Sequence, residues 1–223
     1  GRLPEVVRIC ADYFTDNLPA MRAWNIGILL PWDDYAFYVA NPGKYPSVEN
    51  PDRWKNLNKP GLVPDYFNWG DYMLTAHKNQ FRLSALGEVL KIWNQPLIAW
   101  IGGEKVFTTK EHIFHPGDTV RKQLVVLNDA RVPVTCEYVV WLRNVNAPAV
   151  RGSVTVEPGK RALVPFRTVL PKRLKDGRYE LAAQFLFRGE NIKKQFAHSI
   201  ALDVIPKPPS SVSGSEVALY DPR

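Results

Sequence analysis

Trp32, Asp33 and Asp34 are the residues best suited to chemistry, and they close the run Asn25-Ile-Gly-Ile-Leu-Leu-Pro-Trp-Asp-Asp34. An indole can offer its face to the C–H surface of a sugar ring while carboxylates beside it accept hydrogen bonds from the hydroxyls. The trio therefore suits carbohydrate. Neighbouring residues on an extended chain point in opposite directions, so Asp33 and Asp34 read as sugar ligands and not as a catalytic pair. Of the aromatics that follow, Tyr35, Trp54 and Trp69 are the candidates for touching ligand, and most of the others pack their loop. His112 and His115 share a Pro-Gly-flanked turn at a spacing that suits a solvated turn better than a metal site, and His77 and His198 stand apart. No metal ligands and no cofactor are expected.

The elements that would position this trio follow from periodicity. Leu3, Val6, Val7, Cys10, Tyr13 and Phe14 recur at helical spacing, and Asn17-Leu-Pro19 is expected to end that helix. Asn25–Leu30 is short, apolar and branched, which predicts a strand buried on both faces. Pro42, Pro46, Pro51, Pro60 and Pro64 rule out a long helix or central strand between 33 and 70. The aromatics of that stretch argue against disorder. From about Asp71 to Trp93 the helical period returns, with Phe81, Ala85, Val89 and Ile92 on one stripe and Leu86, Leu90 and Trp93 beside it. A strand, a long loop and a closing helix make a final βα unit.

The run Ala23-Trp-Asn-Ile-Gly-Ile…Pro31-Trp-Asp33 resembles the eighth strand of the (β/α)8 barrel in retaining glycoside hydrolases of the β-galactosidase, β-mannosidase and cellulase clan. The resemblance covers roughly residues 3–100 and implies that Trp32 lines the subsite holding the sugar to be cleaved. Retaining enzymes need two carboxylates about 5–5.5 Å apart, and the clan carries them on strands four and seven. Both would precede Gly1, so no catalytic residue is assigned within the chain, which alone should be inactive.

Beyond Pro96 the period changes to two. Val120–Val126, Val134–Leu142, Tyr179–Phe187 and Ile192–Val204 alternate, and His115-Pro-Gly-Asp118, Asn128-Asp129, Glu157-Pro-Gly-Lys160, Lys175-Asp-Gly-Arg178 and Arg188-Gly-Glu-Asn191 divide them. Val156-Glu-Pro-Gly-Lys160 and Leu170–Leu181 resemble the immunoglobulin-like accessory domains of secreted glycosidases. The fold expected is thus α+β and multidomain: the last βα portion of a (β/α)8 barrel over 1–96 and an immunoglobulin-like antiparallel β-sandwich over 97–206. Residues 207–223 read as a linker and the start of a further domain.

The net charge of +7 lies wholly beyond Trp100, because residues 1–100 hold ten basic and ten acidic side chains out of totals of 29 and 22. Arg121-Lys122, Lys160-Arg161, Lys172-Arg173 and Lys193-Lys194 recur near turns and strand starts, as solvated edges that discourage edge-to-edge pairing. Nucleic acid and membrane are not expected as partners. Cys10 and Cys136 read as small buried apolar residues, and Trp93, Trp100 and Trp141 as core or interdomain packing. Carbohydrate, as oligosaccharide or polysaccharide, is the expected ligand, and the rest of the parent polypeptide or another copy of the chain the expected partner. A secreted or periplasmic location follows from the resemblance. The alternative is a non-catalytic carbohydrate-binding or purely structural immunoglobulin-like module.

Overall fold

The computed structural model describes residues 3–24, 26, 37–40, 81–104 and 111–208. They divide into two compact units, one running to Ile98 and including Leu127–Ala130, the other holding 99–126 and 131 onward.

In the first unit, helix α1 spans Leu3–Ala23 and helix α2 spans Ala85–Trp93. α1 passes through Pro19 instead of stopping there. A proline inside a helix loses its own hydrogen bond and crowds the carbonyl four residues back, but tertiary anchors on both sides of Pro19 hold the segment helical. Leu18 and Ala23 are fully buried, and the Arg22 guanidinium donates to the Gln95 carbonyl at 2.9 Å and pairs with Asp129 at 2.8 Å. Tyr13, placed by the sequence on the apolar stripe, is exposed.

α2 starts later than expected. Strand β2 (Phe81–Leu83) pairs antiparallel with strand β1 (Tyr38–Ala40), and Ser84 then caps the helix by accepting from the Gly87 N–H at 3.2 Å. The buried residues of α2 are Leu86, Gly87, Leu90 and Trp93, so of the two adjacent apolar stripes the one with Leu86, Leu90 and Trp93 faces the core; Ala85 and Ile92 face solvent. Gly87 is required where it stands, because a Cβ would run into the Phe37 carbonyl oxygen.

The barrel expectation is overturned. A closing βα unit needs strands running parallel, whereas β1 and β2 form an antiparallel two-stranded sheet. Strands take up 52% of the described residues, with two helices among them. Ile26, inside the expected buried strand, lies outside any strand and is exposed.

The second unit is β-rich and fits a β-sandwich. The strands, of which β3 begins and β5 ends in residues of the first unit, are β3 (Leu97–Gly103), β4 (Ile113–Phe114), β5 (Thr119–Asn128), β6 (Val134–Leu142), β7 (Val150–Val156), β8 (Lys160–Val169), β9 (Gly177–Gly189) and β10 (Ile192–Val204). One sheet has the order β4-β10-β9-β6-β7, the other β3-β5-β8. β4 runs parallel to β10, so the five-stranded sheet is mixed and not purely antiparallel.

Alternation decides which side chains meet inside. Cys136, Val140 and Leu142 of β6, Leu181, Ala183, Phe185 and Phe187 of β9, and Val120, Leu124 and Val126 of β5 are all buried. A direct bond links the two sheets: the Ile101 N–H of β3 donates to Nδ1 of His198 on β10 at 3.3 Å. Turns sit where Pro-Gly and Asp-Gly pairs foretold. Gly117, Gly159 and Gly177 take positive φ, and the Asp118 and Lys160 N–H groups close their turns onto the His115 and Glu157 carbonyls.

Lys122 departs from the solvated role read for the pair Arg121-Lys122. It is 1% exposed, and its ammonium donates to the Glu111 carbonyl at 2.6 Å. Burial holds its pKa below the ordinary lysine value, partly offset by the Glu111 carboxylate.

Candidate functional site

The candidate site lies on the outer face of the five-stranded sheet. Its side chains are the odd-numbered residues of β6, whose even-numbered neighbours fill the core, and their cross-strand partners. Register places them in transverse rows. Ser153, Glu137, Leu186 and Gln195 form one row, and Arg151, Val139, Gln184 and Ala197 the next. Together they line a depression of about 740 Å³. Each row crosses three strand spacings, about 14 Å.

A third row continues the face. Trp141 stands opposite Ala182, which stands opposite Ser199. Ala182 is buried and small, so the half-buried indole of Trp141 has room to lie along the sheet.

Ion pairs bracket the depression. Arg188 donates to Glu137 at 2.9 Å, and beyond it the Thr135 and Thr155 hydroxyls meet at 3.0 Å. At the other end Arg143 and Glu180 approach to 3.3 Å. Pairs this exposed contribute little to stability. Their effect is to hold Glu137 and Arg188 in set directions. Beneath the face, the ring of Tyr138 lies across Gly152 on the edge strand, in the space a Cβ there would need. The surface thus combines an aliphatic floor of Val139, Leu186 and Ala197 with amide, hydroxyl, carboxylate and guanidinium groups, ready to donate and accept hydrogen bonds.

Trp32, Asp33, Asp34, Tyr35, Trp54 and Trp69 lie outside the described residues, so they are neither gathered into a site nor kept apart. The signal for the sheet face is present in the alternation. If Cys136, Val140 and Leu142 point inward, Trp141 must point outward, although its residue type alone suggests packing. Trp93 and Trp100 are buried.

The titratable residues singled out in the sequence have structural surroundings. His112 Nδ1 donates to the Ala201 carbonyl at 2.6 Å and His115 Nδ1 to the Ile205 carbonyl at 3.0 Å, tying the β4 segment to β10. Both cysteines are free thiols; Cys10 is half-buried and Cys136 buried. Desolvation, with the Glu137 carboxylate beside it, pushes the Cys136 thiol up to about 12, which leaves it unreactive. Among the described residues no His, Cys, Asp and Glu cluster could hold a metal, and no helix is long and apolar enough to cross a membrane.

No protein-family model matches the sequence, and neither does any curated protein. Solved structures do share a partial likeness. Native Escherichia coli alpha-2-macroglobulin matches 50% of this chain over 7% of its own, at 19% identity and a TM-score of 0.38. A family 123 glycoside hydrolase from Clostridium perfringens matches 51% of this chain over 28% of its own, at 15% identity and a TM-score of 0.33. A FixG-related protein from Vibrio parahaemolyticus matches 49% of this chain over 97% of its own, at 14% identity and a TM-score of 0.34. The chain therefore spans a small part of the first two, and likenesses at this level assign neither family nor activity.

Proposed function

We propose that the β-rich unit is a non-catalytic carbohydrate-binding module, an accessory part of an exported glycoside hydrolase, and that an oligosaccharide or polysaccharide lies across β7, β6, β9 and β10. The observation that carries this reading is the pairing of Trp141 with the two polar-rimmed rows beside it. A sugar ring presents C–H faces and a rim of hydroxyls that both donate and accept. It therefore needs an apolar platform flanked by groups of both kinds, which Trp141, Val139 and Leu186 together with Gln184, Gln195, Ser153 and Arg151 supply. Side chains on paired strands are already ordered, so binding spends little entropy on arranging them. In this reading the Trp32–Tyr35 run, with Trp54 and Trp69, is a second sugar contact.

Calorimetric titration with a panel of neutral and acidic oligosaccharides tests the proposal. Trp141→Ala should raise Kd at least about tenfold, or about 1.4 kcal/mol, while leaving the unfolding transition in place. A panel without any binding sugar, or a Trp141→Ala protein that binds as tightly as the parent, would overturn it.

A further inference from the structure

Positive charge is placed at two corners of the sheet face. The row beside the depression runs Thr155, Thr135, Arg188, Lys193, so Arg188 and Lys193 stand directly opposite each other on β9 and β10. Like charges so placed repel. Glu137, which meets Arg188 at 2.9 Å, and the exposed Glu190 of the joining turn offset part of that charge. With Glu137 turned to Arg188, Arg151 is the charge of its own row, whose other members are Val139, Gln184 and Ala197. Arg151 and Lys193 lie four residues apart along the strands and three strands apart across them, a diagonal of about 20 Å.

Arg151 also stands beside the platform. It pairs with Val139, two residues before Trp141 on the same face, which makes Arg151 and Trp141 diagonal neighbours. Such positions are about 7–8 Å apart, within reach of long side chains. A ring stacked on the indole therefore carries its substituents toward the exposed guanidinium. That group is a planar fork of donors, matched by the paired oxygens of an oxyanion and only half used by a hydroxyl. Hydrogen bonds between ionised partners are also about twice as strong as neutral ones.

We propose that the sugar taken by this face is acidic, an oligosaccharide with one carboxylate or sulfate held by Arg151 beside Trp141 and further anionic groups drawn toward Lys193 and Arg188. The inference rests on the sheet face being a sugar site, and it names the class of sugar. Gln184, Gln195 and Ser153 serve the hydroxyls, and the arginine and lysine corners select the charge.

Calorimetry on the full chain at about 0.15 M salt compares two pairs: hexagalacturonate with its fully methyl-esterified form, and a sulfated galactan hexasaccharide with its desulfated form. In at least one pair the charged member should bind at least about tenfold tighter, and which pair does so separates carboxylate from sulfate. Arg151→Gln should shrink that preference to about threefold or less, and Arg151→Lys, which keeps the charge without the fork, should restore part of it. Equal binding within both pairs, or a preference unchanged in a folded Arg151→Gln protein, overturns the proposal. Binding of neutral sugars alone, still dependent on Trp141, would overturn this inference and leave the sugar site standing; binding of no sugar at all would overturn both. Inorganic polyphosphate that binds as tightly as the charged sugar and ignores Trp141→Ala would mark general ion exchange, and that too overturns the proposal. The comparison within each pair needs no variant, so it decides the matter even if an Arg151 variant fails to fold.

Discussion

Phe185→Ala should destabilise the β-rich unit by about 3–5 kcal/mol, the usual loss when a large core ring is cut back and its cavity only partly collapses. Phe185 is 2% exposed, and it stands between Tyr138 on β6 and Phe196 on β10 in the cross-strand row. Its neighbour Gln184 faces outward and is exposed, so Gln184→Ala should change stability by no more than about 0.5 kcal/mol. Chemical unfolding of both variants checks the assignment of faces. A loss below about 1 kcal/mol for Phe185→Ala would mean the ring is not where the core is.

Acid should weaken the same unit through His198. Burial lowers the pKa of His198 from 6.5 to about 4, and its Nδ1 accepts the Ile101 N–H, which requires that nitrogen to be unprotonated. Ala183 faces it across β9, and Lys194 stands two inward positions along the strand. The unfolded chain takes up the proton near pH 6.5 and the folded chain only near pH 4. Stability from this group is therefore complete above pH 6.5 and is lost progressively as the pH falls toward 4. The loss is about 3 kcal/mol at most. Urea midpoints measured from about pH 7.5 to about pH 4 should fall for the parent. His198→Asn, whose carbonyl can still accept from Ile101, should flatten that slope; equal slopes for the two proteins would rule out His198 as the cause.

The alternation of β5, β6, β9 and β10 is legible because a strand with one buried face repeats every two residues, and a slip of one would expose every core side chain. Helix positions are legible more coarsely. Which of the two α2 stripes turns inward is not legible, because Ala85, Val89 and Ile92 are apolar like Leu86, Leu90 and Trp93, and the structure alone shows the Ser84 cap and the close approach of Phe37 to Gly87. Pro19 misleads for the same reason: a local rule ends the helix where Leu18 and Arg22 hold it in place from a distance. The barrel expectation rests on one short motif, while parallel or antiparallel pairing is settled by partners far along the chain, as with Tyr38–Ala40 against Phe81–Leu83. Lys122 is hidden because no local pattern separates a lysine on an exposed edge from one whose ammonium finds a backbone carbonyl inside.

The sheet face as a sugar site is tested most directly by backbone amide shifts recorded while titrating the tightest-binding oligosaccharide of the panel. The shifts should gather on Glu137–Trp141, Arg151–Ser153, Ala182–Leu186 and Gln195–Ala197, together with the Trp141 indole. Shifts confined to Trp32–Tyr35, Trp54 and Trp69, with the sheet face unmoved, would contradict it.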